Sequence, residues 1–478
     1  MKRILFTISL IILPASLAFA NYGDTYGISA KAVGMGNAVT SIVDDWSSTW
    51  YNMSGLGKVP PKAELKETKT KVSLLYKTLT GEKKQKTISE KSEDGGEAHK
   101  INNNELAVTY LYTIPNLEVT TDVAQETNNE KLQFGAFVLG LVIDMNTFIR
   151  MPFDLNARLG VLFAIQDDLG LGKVTDDDPR THYFMRYGRR IQRFITNLGV
   201  GIEVWKNHMY IGGGISVFAG GKGSVQIQKV QITQEDQNPP TRTKLDLQPS
   251  SAPLAGLSFK WDKLGPGDFN FGFCYRDEIY LKIDPFDTQA TTDLAGVDMK
   301  MSIAIFDFYT PKSFTGGLSY AIQDLWIFKE LVFSVDAELQ QWSRYNDLAK
   351  NYLKRWEDTF EVSYPQFKDI IIYKAGFEQT VLPWLKIREG YMMQPAFTPE
   401  QNGNSNYLDN DKHIISLGAG FIIPDVIVLK VPVEVDIAYQ YQMLQERSAT
   451  KDTTNPYNPS YKYGGSVHTF FGSIRWRY

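Results

Sequence analysis

The chain has 478 residues, with 50 lysines and arginines against 54 aspartates and glutamates, a formal charge of −4. So mild an acidic balance implies no bulk affinity for nucleic acid. Its one cysteine, Cys274, excludes an internal disulfide and any cysteine-built zinc or iron–sulfur centre, so stability has to come from sheet closure and burial.

At the N-terminus, Lys2 and Arg3 precede an apolar run from Ile4 to Leu13, and Ala18-Phe19-Ala20 has the small-x-small pattern of a cleavage site. Residues 1–20 read as a secretory signal peptide, with the mature chain starting at Asn21. No later stretch stays apolar for the roughly 18–20 residues of a spanning helix. An exported chain of this kind is either soluble or a β-barrel. The mean hydropathy of −0.25 suits both, because barrel strands carry a polar residue at every second position. Aromatics at 13%, with 25 tyrosines, favour the girdles of a barrel. The length suits about three soluble domains, but no Pro/Gly/Ser linker divides it. The expectation is a signal peptide (1–20), a small helical N-terminal hatch (21–60) and one barrel (61–478).

Residues 23–57 are not strand-like. Gly34, Gly36, Ala38 and Ser41 allow close backbone packing, and Ile28 to Trp46 predicts one or two short helices. The Gly34-Met35-Gly36 pair is not a dinucleotide loop, because Val39 replaces the third glycine and no strand precedes it. Asn52-Met53-Ser54 matches a glycosylation sequon, idle in an outer-membrane protein.

Side chains alternate between the two faces of a strand, and period-2 segments follow along the chain. In 155–165, Leu155, Leu159, Val161, Phe163 and Ile165 oppose Asn156, Arg158 and Gly160. Similar patterns occupy 198–204, 269–275, 331–340 and 431–441, the last setting Val433, Val435, Ile437 and Tyr439 against Glu434 and Asp436. Further strands are predicted near 65–79, 105–114, 132–142, 209–219, 223–232, 254–261, 300–309, 312–320, 369–379, 384–393 and 412–422. Glu389 falls on the apolar parity with Leu385, Ile387 and Tyr391, which points to an interfacial position or a bulge. Polar inserts at 81–104, 233–250, 343–366, 399–411 and 445–464 suit outer loops, and Asn207-His208 and Pro383-Trp384 suit short periplasmic turns. The last strand sets Tyr478, Trp476, Ile474 and Phe470 against Arg477, Arg475, Ser473 and Thr469. A terminal aromatic strand of this kind closes bacterial outer-membrane barrels and addresses them to the assembly machinery.

Several motifs then meet a known family. Gly27-x-Ser29-Ala30, Gly34-x-Gly36-Asn37-Ala38, Asp44-Asp45 and Trp50-Tyr51-Asn52-x-x-Gly55-Leu56 resemble the start of the FadL-type transporters of long-chain fatty acids and other hydrophobic compounds. Arg186-Tyr187-Gly188, Thr310-Pro311-Lys312-Ser313-Phe314, Ile387-Arg388-Glu389-Gly390-Tyr391 and Asp411-Lys412-His413 continue the resemblance in the family's order. It implies an all-β transmembrane barrel of about fourteen antiparallel strands in the outer membrane, plugged by the N-terminal hatch. It also implies passive passage: capture outside, entry into the lumen, and lateral exit at a kink in the third strand. Where the family has Asn-Pro-Ala beside that gap, this chain has Asn52, Met53 and Ser54. Loss of the proline frees φ and restores an N–H donor, so the hatch tip is expected to be looser or the gate different. Gly135 and Gly140 are the kink candidates, because glycine bends or weakens a strand; the alternative is that they pack against the hatch.

Residues 182–194 predict an amphipathic helix. It would carry Tyr187 and Phe194 on one side and Arg186, Arg190 and Arg193 between, a groove suited to a carboxylate with a long tail. Contact with lipopolysaccharide phosphates is the competing reading. Arg158, Lys374 and Arg388 sit on lumen parity and either meet a ligand carboxylate or pair with carboxylates such as Asp336, Glu338 or Glu434. No cofactor or metal is implied. The five histidines show neither a nucleophile motif nor metal-ligand spacing, which leaves a rim hydrolase using His182 or His413 as the weaker alternative. A porin is the third reading, opposed by the predicted plug.

Overall fold

The computed structural model describes residues 22–58, 103–121, 133–149, 151, 155–166, 182–187, 195–226, 242–291, 298–325, 328–347, 366–403, 406–423, 432–451 and 459–478. The signal peptide and the strand expected near 65–79 lie outside them. In chain order the strands are β1 (Glu105–Thr121), β2 (Phe134–Asp144), β3 (Ala157–Gln166), β4 (Tyr183–Phe184), β5 (Ile195–Trp205) and β6 (Met209–Gln226). Next come β7 (Arg242–Leu264), β8 (Gly267–Arg276), β9 (Ile279–Thr291), β10 (Asp298–Thr310), β11 (Lys312–Leu325) and β12 (Phe328–Gln341). The last six are β13 (Ile370–Leu382), β14 (Leu385–Gln394), β15 (Tyr407–Leu408), β16 (Lys412–Ile423), β17 (Val433–Ala449) and β18 (Tyr461–Arg477).

Among the described residues, fourteen of these strands close an antiparallel barrel. Every wall strand pairs with its sequence neighbour in the wall, and β18 returns to β1 in a register running from Glu105↔Arg477 to Thr121↔Tyr461. Closure leaves no sheet edge unpaired, which a lipid environment demands. The alternation read from sequence sets the two faces. On β18, Phe470 and Ile474 are exposed on the outside while Thr469, Ser473 and Arg475 are buried inside. Trp205 and Trp261 lie near the short-turn ends of β5 and β7, Trp384 in the turn between β13 and β14, and Trp476 near the end of β18, where a periplasmic aromatic girdle belongs.

Three strand expectations need correction. The 300–309 segment is not a wall strand: β10 pairs only with β9, in a separate hairpin between β8 and β11. The polar insert at 233–250 is shorter than expected, because β7 already begins at Arg242 and pairs with β6 out to Gln226. Gly135 and Gly140 lie on β2, the second wall strand in the described chain, not the third. Glu389 is neither bulged nor at a strand end. It points outward in mid-strand between Phe377 and Leu417, and both ladders keep register through it.

Residues 22–58 fill the lumen. They form short helices at Gly23–Tyr26, Ala30–Gly34 and Ser48–Tyr51 and a 3-10 turn at Met53–Gly57. The helices are shorter than the 28–46 expectation, and turns and extended backbone take up the rest. The glycines let the segment pass close to the wall: Gly34 lies against the backbone of Gly418 and Gly36 against that of Tyr391. The main core is therefore the seam between this segment and the inner wall. Tyr22, Tyr26, Ile28, Met35, Trp46, Met53 and Leu56 pack there on Leu111, Phe134, Val138 and Leu162.

Candidate functional site

The periplasmic half of the lumen is a charged clamp. Arg158, fully buried on β3, donates from Nε to the Leu56 carbonyl at 2.6 Å and from Nη2 to the carbonyls of Asp44 at 2.7 Å, Gly55 at 3.2 Å and Lys58. Its Nη1 pairs with Glu105 at 3.3 Å. Glu105 also accepts from the Trp46 amide at 3.1 Å and pairs with Arg477 at 2.9 Å. Lys31 reaches Asp44 at 3.0 Å and Asp45 at 3.2 Å, and Arg475 reaches Asp45 at 3.3 Å and also pairs with Glu434. Burial alone would raise the Asp45 carboxyl, but Lys31 and Arg475 outweigh it and hold the group at about 2. Asp44 is held well below its usual range on the same balance, burial against Lys31 and the two C-terminal arginines. Burial pushes the Lys58 ammonium down to about 8 against the pull of Asp44.

Higher up, Lys374 and Arg388 are also paired. Lys374 binds Glu338 at 2.5 Å. Arg388 binds Glu378 and Asp436, each at 2.6 Å. Arg158, Lys374 and Arg388 thus all satisfy barrel carboxylates, as buried charges must, and the structure does not gather them into one ligand site. Beside Lys374 a cavity of about 30 Å³ is lined by Asp24, Trp50, Cys274, Arg276, Glu338, Ile372 and Met392. That is room for one or two waters, not for a substrate.

The hatch tip is tightly held, contrary to the expectation that losing the proline loosens it. Asn52 donates to the Thr40 carbonyl at 2.8 Å and to Ser258 Oγ at 3.2 Å, while its Oδ1 accepts from Ser54 Oγ at 2.8 Å. Ser54 and Ser258 share a 2.6 Å hydrogen bond. The reason is chemical: Ser54 supplies a hydroxyl where the family has alanine. The tip packs on β5, β6 and β7 rather than beside β2; a Cβ on Gly256 would sit 2.0 Å from Asn52 Oδ1. At Gly140 the expected kink is absent, since β2 keeps register with β1 and β3 through it. The glycine instead makes room for Trp46, whose ring would lie 2.3 Å from an added Cβ. Gly135 pairs with Tyr112 in the same unbroken β1–β2 ladder.

Under the extracellular loops lies a packed apolar cluster of Phe367, Ile370, Ile372, Met392, Phe397 and Ile414, flanked by Met185, Trp342 and Tyr407. The predicted helix over 182–194 is not formed in its described part. Tyr183–Phe184 instead pairs in parallel with Tyr407–Leu408, and 185–187 turns. Arg190, Arg193 and Phe194 lie outside the described residues. Arg186 turns inward, its guanidinium 4.8 Å from the Phe397 ring and 5.4 Å from Trp342, with Nε 3.2 Å from Asp409. Tyr187 donates to Gln442 at 2.6 Å, and Gln442 donates to the Thr25 carbonyl at 3.1 Å, tying the 185–187 turn and β17 to the hatch. Lys412 and Gln394 complete the arrangement, and sequence reasoning missed both as site residues. The available signal was parity: Lys412, Ile414 and Ser416 share the inward face of β16. His182 and His413 lie apart; His413 bonds Tyr391 and Gln445 on the outer face, with no serine nucleophile in that network.

A closed barrel with a greasy exterior, a plugged and ion-paired lumen and a packed apolar cluster at its mouth defines an outer-membrane β-barrel protein. Residues 256–471 match the family model described as outer membrane protein transport protein (OMPP1/FadL/TodX). That description is of a transport protein, not an enzyme. Alkane uptake protein A of Marinobacter nauticus is 21% identical over 484 residues, covering 97% of this chain and 92% of the relative. Among solved structures, a Pseudomonas aeruginosa FadL homologue has a TM-score of 0.49 at 13% identity, covering 94% of this chain and 98% of its own. The P. putida toluene transporter TodX has 0.44 at 11%, covering 94% and 97%.

Proposed function

We propose that this outer-membrane transporter takes up long-chain fatty acids or similar amphiphiles passively. Substrate is captured at the extracellular mouth around Arg186 and Tyr187 and moves into the lumen past the apolar cluster. It passes as the hatch shifts near Asn52, Met53 and Ser54, and leaves sideways into the bilayer. The driving force is transfer of apolar surface out of water, about 25 cal/mol per Å². The observation that carries this reading is the filled lumen: residues 22–58 pack against the inner wall beneath the apolar cluster of Phe367, Ile372, Met392, Phe397 and Ile414. A packed lumen suits a molecule that exchanges places with the plug better than ions in a standing water column. The porin reading therefore predicts large steady conductance in planar bilayers, and the transporter reading predicts nearly none. Gly135 and Gly140 remain proposed as lining a lateral exit, Gly140 through its contact with Trp46 instead of through a kink. Lipopolysaccharide at the outer rim, and the barrel-assembly machinery at the C-terminal strand, are the proposed partners.

The test is uptake of radiolabelled oleate by cells lacking their own fatty-acid transporter, with hexadecane in parallel as the neutral competitor. Expression of this chain should raise oleate uptake severalfold. No gain for either compound would sink the transport reading, and a gain for hexadecane alone would move the substrate to alkanes.

A further inference from the structure

The plug does not meet the wall alike on all sides. Its apolar core takes in wall residues such as Leu111, Val138, Leu162 and Val467, from β1, β2, β3 and β18. Among the described residues it takes in none from β8, β11, β12 or β13. The buried side chains that face inward there are mostly polar, Thr315, Asp336 and Glu338 among them. Parting the plug from that sector exposes little apolar surface, so it costs less than parting it from β1–β3. The same sector holds the cavity of about 30 Å³, which borders Ile372 and Met392 of the apolar cluster as well as Thr40 and Trp50 of the plug.

One cation spans this seam. Arg276, on β8, pairs with Asp24 of the first plug helix at 2.9 Å, and its guanidinium lies 4.5 Å from the Trp50 ring. It also stands 3.5 Å from Glu338 on β12. Glu338 is fixed from the wall side by Lys374 at 2.5 Å and Gln340 at 2.8 Å. Arg276 thus has two carboxylates in reach, one on the plug and one on the wall. When Asp24 moves off with the plug, the guanidinium closes on Glu338 and stays paired, as a buried charge must. Thr40 links this point to the hatch tip: its amide donates to Asp336 at 3.0 Å and its carbonyl accepts from Asn52 at 2.8 Å.

We propose that Arg276 and Asp24 form a gate: the plug parts from the wall along its β8–β13 side, and transfer of Arg276 from Asp24 to Glu338 opens that seam. The inference rests on the uptake reading above and locates its opening step. It uses a cation with two discrete partners, the kind of bistable contact that switching elements need. With the guanidinium drawn off the Trp50 ring, Trp50 and Cys274 continue the apolar surface of Ile372 and Met392 along the cavity. An alkyl chain follows that strip towards Thr40 and the tip at Asn52.

Cys274 is the one cysteine of the chain, is buried and lines this cavity, so its alkylation reports the opening. N-Ethylmaleimide is applied to the purified full-length barrel in mild non-ionic detergent at fixed pH. Asp24→Asn and Arg276→Gln should each react about tenfold faster than wild type, the order expected when a partly buried ion pair is lost. The two substitutions change the charge beside the thiol in opposite senses, so acceleration by both reports opening and not thiol reactivity. Asn197→Ala removes a tether from β5 to the Thr49 carbonyl, away from the seam, and should leave the rate within about twofold. Heat-modifiable migration on gels checks that each variant is folded, and either gate variant carries the test if the other does not assemble. In cells, Asp24→Asn should raise oleate uptake about threefold. Alkylation at the wild-type rate in the gate variants, equal acceleration by Asn197→Ala, or faster alkylation with oleate uptake held at the wild-type level overturns the gate. Absence of uptake in every form, wild type included, with the alkylation difference intact, would sink the transport reading alone.

Discussion

Replacing Arg158 with methionine tests whether the plug is held from one point on the wall. The side chain is fully buried and serves four carbonyls of the 44–58 stretch together with Glu105. Hydrogen bonds from a charged donor contribute about 1.5–3 kcal/mol each, but four on one guanidinium share its geometry and do not add. Glu105 keeps Arg477 and the Trp46 amide, so no lone carboxylate is left behind. The net loss is then about 3–5 kcal/mol, the range for breaking a buried charged network. It falls on docking of the segment, because the β3 backbone ladders to β2 and β5 do not involve the side chain. Hydrogen exchange read by mass spectrometry should show amides 44–58 exchanging at least a hundredfold faster, about 3 kcal/mol at 1.4 kcal/mol per decade, while strand amides keep their protection. Arg158→Lys should recover little, since an ammonium cannot reproduce the planar fork. Protection of 44–58 within threefold of wild type in the methionine variant would refute the clamp.

Three further outcomes follow from the same geometry. Glu389 faces lipid between Phe377 and Leu417, so Glu389→Leu should raise barrel stability by about 1–2 kcal/mol in urea titrations in lipid vesicles; a loss of stability would mean that something polar covers it. Asp45 is held at about 2 by Lys31 and Arg475 against burial. A depressed carboxyl contributes stability in full above its unfolded value near 4 and loses it as pH falls through about 2. Proteolytic sensitivity of the plug should therefore rise between pH 4 and 2 by the equivalent of about 2 kcal/mol, and an Asp45→Asn variant should show a flatter profile over that window. Gly140→Val drives a side chain into the Trp46 ring, an overpacking worth about 1–3 kcal/mol. It should slow uptake and loosen the segment around Trp46, and Trp46→Ala in the same chain should restore docking; uptake unchanged in the single variant would remove Gly140 from the exit path.

What the sequence made legible is what period 2 controls. The outward and inward sets of β3, β5, β8, β12, β17 and β18 were readable because a wall between lipid and a polar lumen forces strict alternation. Period 2 also placed Arg158, Lys374 and Arg388 inward, but it carries no information about partners. Whether an inward cation meets Glu105, Glu338 or a ligand depends on register between strands and on a plug folded through the lumen, and Arg158 finds Asp44 and Leu56 more than a hundred residues away in sequence. The same limit explains the two segments misjudged by local pattern. The 300–309 stretch alternates like a wall strand, yet only pairing decides whether a strand joins the wall or a loop hairpin, and β10 found β9. The helix periodicity at 182–187 yielded to two backbone hydrogen-bonding partners at 407–408, which satisfy the chain as a parallel pair instead.

The upper apolar cluster shows where the remaining information resides. Lys412 opens β16 within the Asp411-Lys412-His413 motif and Gln394 ends β14, and each alone is an ordinary strand-end polar residue. Their significance arises from a register that sets them side by side, and from a loop that returns with Asp409 already engaged by Arg186 and the Phe397 amide. The two side chains lie side by side on that inner face, directly above Met392 and Ile414, with Lys412 Nζ 3.9 Å from Asp409. Arg158, Lys374, Arg388 and Arg475 are likewise each matched to a carboxylate. Arg158 and Arg475 hold the plug to the wall, while Lys374 and Arg388 join wall strands to one another, so residues 22–58 have to move before a substrate can descend.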